Sequence, residues 1–135
     1  MHPFNIVIAE DHLAFRKLVR LELDDVQDLV IIGEVDDGVQ LLELLQLVQP
    51  DMVILDISMP NLGGIETARI IKKQYSQIKV LFLTMHKNPA YLEQARLIGA
   101  EGYILKEEVD RVLLPAIDLI RGGETYISSC LSQYL

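Results

Sequence analysis

A chain of 135 residues, 50% apolar and 24% charged, suits one domain, long enough to bury roughly 68% of its extended-chain surface. Its formal charge of -8, from 12 basic and 20 acidic residues, argues against broad contact with phosphate backbones but leaves cation binding open. The apolar content excludes a disordered acidic tail, the lone Cys130 excludes an internal disulfide, and His2, His12 and His86 are too scattered for a zinc site. The opening residues lack the basic start of a signal peptide, and no apolar run reaches the ~18 residues of a membrane span, so a soluble, cytoplasmic protein is expected.

Five short apolar runs, each followed by a helical pattern, are predicted in chain order. Residues 5–9 form the first strand, and Ala14, Leu18 and Leu21 form the stripe of the first helix. Residues 29–35 give the second strand, then Leu41, Leu45 and Val48 form a stripe ended by Pro50. Residues 52–55 and 80–83 are continuously apolar, as strands covered on both faces require. Between them Ile65, Ala68 and Ile71 follow Gly63-Gly64, and Asn88-Pro89 caps the helix holding Tyr91, Leu92, Ala95 and Ile98. Residues 102–105 give the fifth strand. Val109, Val112, Leu113, Ala116, Ile117 and Ile120 then line a helix stopped by Gly122-Gly123, with Pro115 expected to weaken or kink it. Alternation without hairpin signals predicts parallel strands joined by right-handed crossovers, a doubly wound α/β domain. The stretch after Glu124, with Tyr126, Ile127, Leu131, Tyr134 and Leu135, reads as a tail leading elsewhere.

Ligands of open parallel sheets sit beyond the carboxyl ends of the strands. Glu10-Asp11, Asp56, Thr84 and Lys106 occupy those ends, so three acids, a hydroxyl and an ammonium converge on one edge. Two unit charges ~4 Å apart interact by about 4 kcal/mol at an effective dielectric of ~20, so such a cluster needs compensation. Lys106 supplies one positive charge. Oxygen donors without Cys or His favour Mg²⁺, with Mn²⁺ as the alternative, for the rest. A carboxylate beside such a cation can attack a phosphoryl group while cation, ammonium and hydroxyl take up charge on its oxygens.

The set Glu10-Asp11, Asp56-Ile57-Ser58-Met59-Pro60 with Gly63-Gly64, Thr84, and Gly102-Tyr103-Ile104-Leu105-Lys106 resembles the receiver domain of two-component response regulators. The resemblance covers residues 4–122. It implies a flavodoxin-like (βα)5 fold with a five-stranded parallel sheet in the order 2-1-3-4-5. It also implies Asp56 as phosphoacceptor, Mg²⁺ held by Asp11, Asp56, the Ser58 carbonyl and, through water, Glu10, and phosphoryl contacts from Thr84 and Lys106. Tyr103 would change rotamer with Thr84 on activation, and Ser58 and His86 would tune phosphoryl lifetime. Glu10 stands where Asp is commoner, and Glu107 where many members have a Pro after a cis bond, which before Glu would cost ~3–4 kcal/mol. The implied protein is a switch that promotes its own phosphorylation and dephosphorylation rather than an enzyme. Its partner is a sensor histidine kinase, with a homodimer left open. The run Gly102-Tyr103-Ile104-Leu105-Lys106-Glu107, followed by Gly122-Gly123-Glu124-Thr125-Tyr126-Ile127-Ser128, is similar to receivers of NarL/LuxR-type transcriptional regulators. By that likeness residues 123–135 begin a linker to a helix-turn-helix domain, and DNA is touched only through that domain. The alternative is a stand-alone receiver, a phosphorelay intermediate or protein-binding switch.

Taken singly, these residues have plainer readings: Glu10-Asp11 as a solvated helix start, Asp56 as an N-cap, Tyr103 as a packing residue. Two other classes fit less well. A haloacid-dehalogenase-type phosphatase needs a second Asp two residues after its nucleophile, where this chain has Ser58. A flavodoxin-type FMN carrier cradles phosphate after the first strand, where Glu10-Asp11 would repel it.

Overall fold

The computed structural model describes residues 2–85, 87–129 and 131. Readings that fall on His86, Cys130, Tyr134 and Leu135 therefore lie outside the described residues. Strands and helices alternate as β1 (Phe4–Ala9), α1 (Leu13–Asp24), β2 (Leu29–Val35), α2 (Gly38–Leu44), β3 (Met52–Asp56), α3 (Gly64–Gln74), β4 (Lys79–Thr84), α4 (Pro89–Ile98), β5 (Gly102–Leu105), α5 (Val109–Arg121) and β6 (Tyr126–Ile127). The sheet is parallel throughout, in the order β2-β1-β3-β4-β5-β6. Five strands follow the predicted order, and the sixth comes from the stretch that reads as a tail.

The side-chain period of two along each strand divides the core into two layers. Val7, Val53, Leu55, Val80, Phe82 and Tyr103 pack against α2, α3 and α4. Ile6, Ile8, Ile54, Leu81, Leu83 and Ile104 pack against α1 and α5. Both faces of β3 and β4 are thus covered, which is why these strands carry unbroken apolar runs.

The helices behave as their caps dictate, with one exception in facing. Asn88 accepts a hydrogen bond from the Ala90 amide at 2.9 Å, ahead of Pro89 in the first turn of α4. Helix α5 runs continuously across Pro115, which lies on its exposed side, while Val109, Leu113, Ala116, Ile117 and Ile120 are buried. Helix α2 ends at Leu44, before Pro50, and still buries Leu41 and the following Leu45. In α1 the predicted stripe is turned outward: Leu18 and Leu21 are 38% and 61% exposed, and Val19 and Leu23 are buried instead. Spacing alone does not distinguish the two stripes, because both repeat at helical intervals. Packing against α5 and the β2 edge selects the one that holds Val19 and Leu23.

Candidate metal and phosphoryl site

The carboxyl ends of β1, β3, β4 and β5 deliver the site. Ala9 and Leu55 are partners in the β1–β3 register, so Glu10-Asp11 and Asp56 leave adjacent strands at the same level. One carboxylate oxygen from each of Glu10, Asp11 and Asp56 lies within 4.8 Å of the others. Glu10 is fully buried, not a solvated helix start, while Asp11 is exposed. Asp56 is buried, and its Oδ1 accepts a hydrogen bond from the Ser58 amide at 3.2 Å. Asp56 is not an N-cap, because α3 begins only at Gly64, capped by Gly63.

Lys106 bridges the acids. Its Nζ lies 2.7 Å from Glu10 Oε1 and 3.4 Å from Asp56 Oδ2. The Glu10 contact is an ion pair at the buried end of the site. The same ammonium sits 4.6 Å from the centre of the Phe15 ring, whose face supplies further cation stabilisation. One ammonium against three carboxylates leaves the cluster negative. Burial, and then the negative charge of Glu10, push the Asp56 carboxyl up to about 7, with Lys106 and the Ser58 amide working the other way. This is an environment that a hard divalent cation would relieve, and its all-oxygen donors suit Mg²⁺.

Thr84 is buried at the end of β4 and opens onto the same 760 Å³ cavity as Asp11, Asp56, Ser58 and Lys106. Tyr103 lies on β5 beside Phe82, its ring edge-on at a centroid distance of 6.2 Å. Its ring is buried in the core layer of α2, α3 and α4. Burial pushes its phenol up to about 12, against the influence of the Thr84 hydroxyl. All peptide bonds among the described residues are trans, and after Lys106 the chain enters a short 3-10 turn, Lys106–Glu108.

Three supporting residues escaped sequence reasoning. Arg16 Nη1 donates to Glu10 O at 3.1 Å, to Val35 O at 2.9 Å and to Asp36 Oδ1 at 2.8 Å, fastening the acidic loop to β2. Asp37 caps α2 through the Gln40 amide at 2.8 Å and accepts from Asn61 Nδ2 at 2.6 Å, tying the loop after β3 in place. Both hydrogen bonds hold the Asp37 carboxyl below its ordinary value. Phe15 is the third. A corrected α1 stripe is the signal that would have found it, because Phe15, Val19 and Leu23 repeat every four residues on the inner face.

Comparison with known proteins agrees with this fold. The response regulator receiver domain family matches residues 6–118. The transcriptional regulatory protein DegU of Brevibacillus brevis is 34% identical over 126 residues, covering 93% of this chain and 53% of DegU. The chain spans about half to three fifths of the length of such curated relatives. Among solved structures, the isolated receiver of RcsB from Salmonella enterica serovar Typhimurium, in the presence of the phosphomimetic BeF₃⁻, superposes with a TM-score of 0.93 at 27% identity, covering 99% of both chains. A LuxR-family two-component response regulator from Aurantimonas gives a TM-score of 0.92 at 28% identity, covering 98% of this chain and 94% of that one. A family match over most of the chain, joined to a shared fold from end to end, makes this protein a member of the response regulator receiver domain family.

Proposed function

We propose that the protein accepts a phosphoryl group on Asp56 in a Mg²⁺-dependent step and passes the change to an output. The observation that carries this reading is the buried Asp56 carboxylate, 3.4 Å from the Lys106 ammonium and grouped with Glu10 and Asp11 within 4.8 Å. Asp11, Asp56 and the Ser58 carbonyl would hold the cation, with Glu10 acting through water. When bound, Mg²⁺ would neutralise charge on the phosphoryl oxygens. An Asp56 oxygen attacks phosphorus in line, and the bond from phosphorus to the donor breaks with its electron pair leaving on the donor. That donor is a histidine kinase phosphohistidine or a small acyl phosphate such as acetyl phosphate. Lys106 and the Thr84 hydroxyl stabilise the oxygens of the transferred group. The same site would also speed loss of the phosphoryl to water.

The product carries nearly two negative charges where the carboxylate carried one, and it brings three acceptor oxygens into the crevice. Thr84 is drawn to the phosphoryl, and Tyr103, whose ring lies beside Phe82, changes rotamer with it. The surface of α4, β5 and α5 thereby gains or loses affinity for a partner. The greater length of the curated relatives, one of them named a transcriptional regulatory protein, supports a cytoplasmic regulator whose output is transcription. Residues 4–122 would be its receiver, with β6 added to the edge of the same sheet, and the stretch 123–135 that carries β6 would lead on to a DNA-binding domain. A homodimer is in keeping with this, since RcsB is described as dimers bound to DNA.

Intact mass after incubation with acetyl phosphate and Mg²⁺ tests the reading. One labile phosphoryl adduct is expected on the wild type and none on Asp56→Asn or in excess chelator. An adduct of equal yield on Asp56→Asn would refute it.

A further inference from the structure

The segment after α5 returns to the sheet and grips β5, the strand that ends just before Lys106. The Tyr126 amide donates to Glu101 O at 2.9 Å, and the Ser128 amide to Tyr103 O at 3.0 Å. The Leu105 amide in turn donates to Ser128 Oγ at 3.0 Å. Ser128 is fully buried, and Leu131, equally buried, packs in the same core layer as Tyr103 and Leu105.

Leu105 is the last residue of β5, on the side of the sheet where β6 has only two residues. Its backbone is closed off from water, so its N–H needs a partner within the protein, and Ser128 Oγ is that partner. The next residue is Lys106, whose ammonium joins Glu10 to Asp56. A lysine reaching a charged site from the end of a strand is only as well placed as that strand end.

We propose that Ser128 is a positioning residue for the phosphoryl site: by holding the Leu105 N–H, its hydroxyl fixes where β5 ends and so where Lys106 meets an anion on Asp56. The inference rests on the phosphoacceptor reading given above. Coupling of this kind is reciprocal. An anion on Asp56 that engages Lys106 tightens the Leu105–Ser128 hydrogen bond, and loss of the hydroxyl weakens the hold on the anion.

Beryllofluoride, which mimics a phosphoryl group on a carboxylate, is the probe, titrated with Mg²⁺ and followed by ¹⁹F NMR. Ser128→Ala is expected to bind it about fivefold more weakly than the wild type, and Ser128→Thr, which keeps the oxygen, within about twofold. Leu131→Ala loosens the same segment without removing the acceptor. It should lower the melting temperature at least as much as Ser128→Ala yet leave the affinity within about twofold. In the wild type, exchange of the Leu105 amide should slow on binding. This last measurement needs no variant and decides the matter even if Ser128→Ala fails to fold. Wild-type affinity in Ser128→Ala, affinity losses that merely follow the melting temperatures of Ser128→Ala and Leu131→Ala, or unchanged Leu105 exchange would each overturn the inference while leaving the phosphoacceptor reading intact. A wild type that does not bind beryllofluoride with Mg²⁺ would overturn both.

Discussion

Lys106 is the residue on which the charge balance of the site turns. Removing one member of a buried ion pair leaves the other uncompensated, typically at a cost of 3–5 kcal/mol. In Lys106→Ala, Glu10 and Asp56 lose that partner, but the exposed edge at Asp11 still admits water and cation. Lys106→Ala is therefore expected to fold with reduced stability, to accept a phosphoryl group more slowly, and to show little of the conformational change that follows. Circular dichroism melts, labelling rates and amide chemical shifts check the three parts in turn. A normal conformational response in this variant would contradict its role. The main site residues were legible in the sequence because strand ends in a parallel sheet converge, so Glu10, Asp11, Asp56, Thr84 and Lys106 could be grouped without coordinates. Arg16 and Asp37 were not. Arg16 works on backbone oxygens of other segments, which leaves no spacing rule behind, and although the N-cap position of Asp37 is readable, its tie to Asn61 spans 24 residues.

Among the elements, α1 and the junctions around Asp56 yield the sharpest expectations. Leu21 and Leu23 are two residues apart on one helix, one 61% exposed and the other 1%. Leu23→Ala should cost about 2–5 kcal/mol and Leu21→Ala under about 0.5 kcal/mol, as read from denaturant midpoints. Sequence reasoning assigned the inner face to Leu18 and Leu21 because helical periodicity is blind to which of two apolar stripes the neighbours present a surface to. Helix α3 starts hard against Asp56. A Cβ at Gly64 would lie 2.2 Å from Asp56 O, so Gly64→Ala should displace the end of β3 and impair labelling as well as stability. The Asp37 tie contributes to acid sensitivity. Its folded pKa is depressed, so its stabilisation is present above the ordinary value of 3.8 and fades as pH falls below it. Between pH 5 and pH 3 the wild type should lose more stability than Asp37→Asn, measured by melting temperature.

At the scale of the molecule, one buried sheet brings acids from β1 and β3 to a rim where their charges oppose one another, and a bound cation should repay the whole fold. Binding to the native state alone adds about 2.7 kcal/mol at a hundred times the dissociation constant. Mg²⁺ should therefore raise the melting temperature of the wild type and not that of Asp11→Asn, and chelator should reverse the rise. The (βα)5 plan was legible because both layers of the core repeat the same alternation of apolar strand and striped helix. The sixth strand was not, since two residues, Tyr126 and Ile127, carry too little pattern to separate a strand from a tail. What makes them a strand is the open β5 edge beside them. The most direct measurement is chemical trapping of the acyl phosphate. After treatment with acetyl phosphate and Mg²⁺, borohydride reduction converts a phosphorylated aspartate to homoserine, which peptide mass spectrometry locates. Homoserine at position 56 alone, lost when the cation is chelated, is the predicted result. Homoserine at position 11, or none at all from labelled protein, would contradict it.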